Sequence, residues 1–506
     1  VNLVSSKNVA GTVLDNELDA LTASSATSVV VTGDAEFTTT MTAAKVTSFD
    51  ASGLAAKLTL TAGSEKATYT AAQKDTTFTM GSNLTKDDTI IGGASVKDTV
   101  TATVTGLTAE TGTLKISNVE NVNLTTSGDN VIDASGITGA ATVLSVTDYK
   151  QTITNFDLSQ TIGLGLTGDA AATSSEIDVT AADATGTADT LKVSVNNVAN
   201  TTSIIDASGI ETLDLTATTA NKTVTLDLTT FEGDTVNLAS KTGVTATAAA
   251  DLGTLHKNTE SVSSTYADKL TVSFANSTDA ATFVGAGTDT QTVTGSAKAD
   301  TFTIGSTGAI THSVTGGTGT DTTNITVTTG FVNAGSIDTE NVNVTVAAGV
   351  DITLSGASFG TGADTVVITG GNSLSTFDAA TVVDEVKSVD ASAFLGNLVM
   401  DVAADKMDST ISIKGGALAT DEIDYNITAT GTDALTSTGV EILDLDVNAT
   451  ATLALAAATG VKTIDVDVAT EKVLTLTGLT GSETIKLTDA ATGTGQVVAT
   501  LADATD

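Results

Sequence analysis

Apolar and polar residues alternate along most of this chain in runs of about five to seven residues, and Gly, Asn, Asp and Ser separate the runs. Alternation with a period of two predicts short strands that each bury one face. Only LDNELDAL, from Leu14 to Leu21, has spacing that suits a brief helix. The runs also recur. Val440-Glu441-Ile442-Leu443-Asp444-Leu445 returns as Val461-Lys462-Thr463-Ile464-Asp465-Val466 and again as Ser482-Glu483-Thr484-Ile485-Lys486-Leu487, each 21 residues after the last. Between them, Thr452-Leu453-Ala454-Leu455 is matched by Val473-Leu474-Thr475-Leu476 at the same step. Upstream, Ile210 to Leu215 and Gly233 to Leu238 are offset by 23 residues, with one strand between them.

A step of this size is one rung of a stack, not a domain. The pattern therefore predicts an all-β chain built as a parallel β-solenoid, of the β-helix or β-roll kind, with about 21–23 residues and two strands per rung. Leu443 should lie over Ile464, and Ile464 over Ile485. Leu213, Leu215, Val236 and Leu238 should be buried, with Asp214 and Asn237 turned outward. Tandem β-sandwich domains are the competing architecture, but the Asn-Gly turns of tight hairpins are missing. A second recurring string, Asp-Ala-Ser-Gly, stands at Asp50, Asp133 and Asp206, with a variant at Asp390. Each follows an apolar residue and reads as a corner: the Asp caps a backbone N–H, and the Gly takes positive φ.

Composition narrows the options. Among 506 residues there is no Pro, Cys, Trp or Arg, and aromatics make up 3%. The core must be built from small, often β-branched side chains, which suit thin layers of stacked strands. Without Cys no disulfide can staple the fold. The start, VNLVSSKNVAG, lacks the basic residues and apolar run of a signal peptide and does not open on Met, so a processed or trimmed chain is expected. No run of about 18 apolar residues predicts a membrane span. The formal charge of −39 argues against nucleic acid and anionic membranes. It favours hard cations held by oxygen ligands, beside the plain alternative of an acidic, soluble surface.

The stretch from Asn276 to Gly330 is richer in Gly and Asp. The expected division is a solenoid over 1–275, a calcium segment over 276–330 and a second solenoid over 331–506. Gly316-Gly317-Thr318-Gly319-Thr320-Asp321 matches the opening of the calcium-binding nonapeptide G-G-x-G-x-D. Two near copies are Gly285-Ala286-Gly287-Thr288-Asp289 and Gly360-Thr361-Gly362-Ala363-Asp364. The strings at Asp300 and Asp88 carry the related layout of Asp, Thr, an apolar residue and a later Gly. Glycines allow turns whose carbonyls face an ion, and Asp adds charged oxygen. The candidate metal set is accordingly Asp289, Asp300, Asp321, Asp364, Asp88, Gly287, Gly319 and Gly362. Asp289, Asp300 and Asp321 stand 11 and 21 residues apart, whereas a full array repeats every nine.

At these residues the chain resembles the RTX family, and in composition the RTX-type bacterial surface-layer proteins. That resemblance implies secretion by a type I route, an extracellular place on the cell surface, and calcium-driven assembly of identical subunits into a two-dimensional lattice. It leaves open an anchor on cell-surface glycan or lipopolysaccharide.

Catalytic groupings are scarce. His256 and His312 are the only histidines and read as surface or turn residues. No Ser-His-Asp arrangement, Cys nucleophile, phosphate loop or zinc ligand set stands out. The expectation is a non-enzymatic structural subunit that binds calcium and copies of itself. The alternatives are an extracellular solenoid adhesin or filament stalk and, further off, a polysaccharide-active β-helix enzyme, for which the absent Arg and Trp are unfavourable.

Overall fold

The computed structural model describes the chain apart from residues 8–14, 43–44, 140–142, 148, 167–173, 198–201, 219–222, 242–247, 267, 286–288, 334, 356–363, 374, 383–385, 403–410, 489–494 and 502–506. It is all-β. The described helix is a single 3-10 turn, Ala134–Gly136, and none of the described helix is long and apolar enough to cross a membrane. Two compact units divide at Val1–Thr259 and Glu260–Asp506. The stretch 276–330 lies in the second, where Thr282–Gly285, Thr301–Ile310 and Thr322–Asn333 stack like the strands that follow them.

In both units most strands pair in parallel with the strand two places further along the chain, so a typical rung contributes one strand to each of two sheets; Thr322–Asn333 is long enough to pair with both Asn341–Val346 and Ile352–Ser355. In the first unit Phe37–Met41, Leu58–Thr61, Thr76–Gly81 and Thr99–Val104 form successive steps of one sheet. Ser48–Leu54, Thr68–Thr70 and Thr89–Ile91 do the same in the other. Side chains alternate strictly: in Thr212–Ala217 and Thr235–Ser240, Leu213, Leu215, Val236 and Leu238 are buried while Asp214 and Asn237 face out. Asp214 pairs in register with Asn237, whose Nδ2 donates to the Asp214 carboxylate at 2.7 Å.

The second unit gives the same rung. Leu443 pairs with Ile464, and Ile464 with Ile485, as the 21-residue step requires. Like stacks on like because in-register parallel strands place equivalent side chains about 4.8 Å apart. The step is not constant. Val143 pairs with Thr161, 18 residues on, and Thr161 with Lys192, 31 residues on; that longer rung contains residues 167–173.

The helix expected near Leu14 to Leu21 is instead a strand, Asn16–Leu21, paired with Phe37–Met41. Its register shifts between Leu18 and Leu21. The shift changes the phase of burial, so apolar residues three apart mimic helical spacing. The Asp-Ala-Ser-Gly corners behave partly as expected. Asp50, Asp133 and Asp390 each accept the N–H two residues on, at 2.9–3.0 Å. Positive φ occurs at Gly209 but not at Gly53 or Gly136. At Gly136 a Cβ would lie 2.3 Å from the Leu114 carbonyl, so close packing is what selects glycine there.

Candidate functional site

Several Gly-and-Asp loops are closed by their own carboxylates, and of the loops singled out by sequence the one at Asp300 is among them. In three of them one carboxylate oxygen folds back onto the loop. Asp98 accepts the Gly93 N–H at 2.6 Å, Asp300 the Ser296 N–H at 2.5 Å and Asp421 the Gly416 N–H at 2.6 Å. The other oxygen reaches the preceding rung, where the N–H groups of Thr76, Ala281 and Leu398 donate at 2.8, 2.6 and 2.9 Å. All three aspartates are buried. Each loop opens on glycine because the next rung's carbonyl and the folded-back carboxylate together fill the space a side chain would need: a Cβ would lie 2.1 Å from the Gly316 carbonyl at Gly295 and 1.9 Å from the Gly439 carbonyl at Gly415. A Cβ on Gly295 would stand 2.5 Å from Asp300 Oδ2, and one on Gly415 2.8 Å from Asp421 Oδ2. Burial raises the pKa of Asp98 and Asp421, and the donated backbone N–H groups pull it back down.

Asp321 continues the series. Its Oδ1 accepts the Asp300 N–H at 2.8 Å, and its own N–H donates to Glu340 Oε2 at 2.7 Å. Ala281, Asp300, Asp321 and Glu340 are thus linked by three successive carboxylate-to-N–H bonds, one per rung. Asp321 Oδ2 differs from its counterparts: it is buried, lies against Gly316 and has no hydrogen-bond partner. Burial is the main cause that raises the Asp321 pKa, with Asp300 and Glu340 adding to it.

Of the expected metal ligands, the structure therefore brings Asp300 and Asp321 together. Asp364 follows Glu340 in the same column, its N–H donating to the Glu340 carbonyl at 2.9 Å. Its side chain is exposed and paired with Lys387 at 2.6 Å. Asp88 is buried in the first unit and accepts from Ala67 N–H, Thr85 N–H and Thr85 Oγ1 at 2.8–2.9 Å. Asp289 accepts the adjacent Thr290 N–H at 2.6 Å. Gly319 has φ +144, with the Lys298 carbonyl 2.4 Å from where a Cβ would be. Gly287 and Gly362 lie outside the described residues. Among the described residues, no group of three or more His, Cys, Asp and Glu side chains is placed to hold a metal ion.

The histidines divide. His256 is a turn residue, its carbonyl accepting the Thr259 N–H. His312 is not a surface residue: it is fully buried, and its Nδ1 accepts the Gln291 N–H at 3.2 Å. Burial drags its pKa from 6.5 to about 4, against a small opposing effect of Asp289. In the unfolded chain the ring takes up a proton near pH 6.5, so between there and pH 4 the folded state binds fewer protons. Stability held above pH 6.5 is lost as the pH falls, by roughly 3 kcal/mol for this group. Denaturant titrations should show the wild type losing that much more than His312→Gln between pH 7 and pH 4. Parallel pH profiles would mean the ring is not held neutral.

Two surface arrays escaped the motif reading. In the second unit Asp401, Asp424, Asp444 and Asp465 stand in register on four consecutive rungs, and Lys486 follows on the fifth. Two residues along, Asp446 pairs with Asp467. Burial, then the neighbouring carboxylates, pushes the pKa of Asp424 and Asp444 up. The repeated strings already contained Asp444 and Asp465: stacking equivalent positions stacks their aspartates too. In the first unit, Thr38, Thr59, Thr77 and Thr99 form an outward column, and Thr40, Thr61, Thr79 and Thr101 a second beside it.

No family model matches the chain, and no curated protein or solved structure matches it either. What the fold itself defines is a class: a parallel β-solenoid whose loops are closed by buried carboxylates.

Proposed function

We propose that this chain is a structural subunit of an extracellular array on a cell surface, whose copies associate through calcium. The observation that supports this best is the half-buried, outward-facing carboxylate column Asp401, Asp424, Asp444 and Asp465, flanked by Asp446 and Asp467. Like charges about 4.8 Å apart along a rigid stack repel one another, and salt screens such close neighbours poorly. A divalent ion can bridge carboxylates within one copy or between two. In this reading calcium acts at that column and at exposed groups such as Asp364. Asp88, Asp98, Asp300 and Asp421 are engaged by N–H donors and serve the fold. A rigid stack of outward Thr, Asn and Asp also suits a subunit that must tile a surface.

The test is light scattering and negative-stain microscopy of the purified protein with calcium, with magnesium and with chelator. Calcium should give planar sheets. Magnesium, which sheds its water reluctantly, should substitute poorly, and chelator should disperse the sheets. Equal assembly in all three conditions removes calcium from the mechanism, and isolated rods or fibres favour a stalk or adhesin.

A further inference from the structure

The threonine face of the first unit is bordered by a column of charges. Two residues before each rung's first outward threonine stand Glu36, Lys57, Asp75 and Lys97. The pairing keeps them on consecutive rungs: Phe37 N–H donates to the Lys57 carbonyl, Leu58 N–H to the Asp75 carbonyl, and Thr77 pairs with Thr99. Both lysines are exposed, and neither takes part in the ion pairs of the described residues. The column alternates in sign and sums to zero, on a chain whose net charge is −39.

We infer that this face is where two copies of the chain meet, related by a two-fold axis that runs along the strand direction between the rungs of Lys57 and Asp75. Rotation about that axis reverses the order of the rungs and keeps position along the strands. Every charge then meets its opposite: Glu36 faces Lys97 of the second copy, and Lys57 faces Asp75. Threonine faces threonine, with no charge buried. On the adjoining rung Asp15 and Glu17 face Val119 and Asn121, which are neutral. A pattern that complements itself on reversal is what an isologous contact requires, and it attracts where acidic faces repel.

The strip is small. Four rungs span roughly 14 Å along the stack, far short of the roughly 800 Å² per partner of a standard stable complex. One such contact is weak and gains strength by repetition across an array. The inference rests on the proposed self-association but uses no calcium, so chelator separates the two.

Sedimentation velocity of the whole chain, in chelator and low salt over a concentration series, reads the contact directly. The wild type should self-associate reversibly. Lys97→Glu turns two symmetry-related attractions into repulsions and should weaken association about tenfold. Glu36→Lys should do the same, and the double variant Glu36→Lys/Lys97→Glu should restore wild-type association. Melting temperatures check that each variant is folded, and Lys57→Glu replaces Lys97→Glu if the latter is not. A double variant as weak as the singles, or a wild type that stays monomeric throughout, overturns the inference. Calcium sheets without this contact would leave the array reading standing, and this contact without calcium sheets would leave the face standing.

Discussion

Replacing Ile464 with Asp should melt the rungs around it. Ile464 is fully buried and lies in register between Leu443 and Ile485. A carboxylate placed there meets aliphatic neighbours instead of the backbone donors that satisfy Asp300 or Asp421. The expected loss is roughly 3–5 kcal/mol, from an unpaired buried charge together with the lost packing. Rungs of a solenoid depend on their immediate neighbours. Hydrogen exchange should therefore quicken first in Ile442–Val447, Thr463–Val468 and Thr484–Thr488 and stay unchanged in the first unit. The adjacent Asp465→Ala, on the outward face, should leave the melting temperature nearly unaltered. If the two variants behave alike, the register is wrong by one residue.

Asp300→Ala should be nearly as damaging. It strips acceptors from the buried N–H groups of Ala281 and Ser296 and from the Ser296 hydroxyl. Each buried donor left without a partner costs about 1–3 kcal/mol, so a loss of roughly 3–5 kcal/mol is expected. Asp364→Ala removes only the exposed pair with Lys387 and should cost under about 1 kcal/mol. Both losses should be the same in calcium and in chelator. A wild type that calcium stabilises strongly while Asp300→Ala is indifferent to it would make Asp300 an ion ligand after all.

The stacking was legible because it depends on local alternation and a fixed step. Leu443, Ile464 and Ile485 announce their pairing by position alone, and so do Leu213 over Val236 and Asp214 over Asn237. Asn16–Leu21 was misread because a register shift imitates helical spacing over so short a run. The loops at Asp300 and Asp321 carried a local pattern that fits two arrangements. Glycine followed a few residues later by Asp suits a turn that wraps an ion and equally a turn that closes on its own carboxylate. What separates them is the second acceptor bond, made to a residue 19 or 21 positions earlier, and no local pattern encodes that partner. Two members of the carboxylate column, Asp444 and Asp465, stood in the quoted repeats, but the column becomes a feature only when the copies are laid over one another.

Among the described residues, the backbone N–H groups that donate to a carboxylate on another rung nearly all point the same way, Lys150, which donates back to Asp129, being an exception. Ala67, Thr76, Asp98, Asp189, Ala281, Asp300, Asp321 and Leu398 each donate a backbone N–H to an acid that comes later in the chain. A newly laid rung thus holds an N–H that waits for an acceptor only its successor can supply. Growth from the N-terminal side relieves that deficit at every step, as each arriving acid completes the rung beneath it. Folding that begins in the middle and spreads backward supplies the acceptor before the donor and strands a buried charge. These eight bonds thus give the stack a preferred direction of growth, suited to a chain that takes shape in the order in which it emerges.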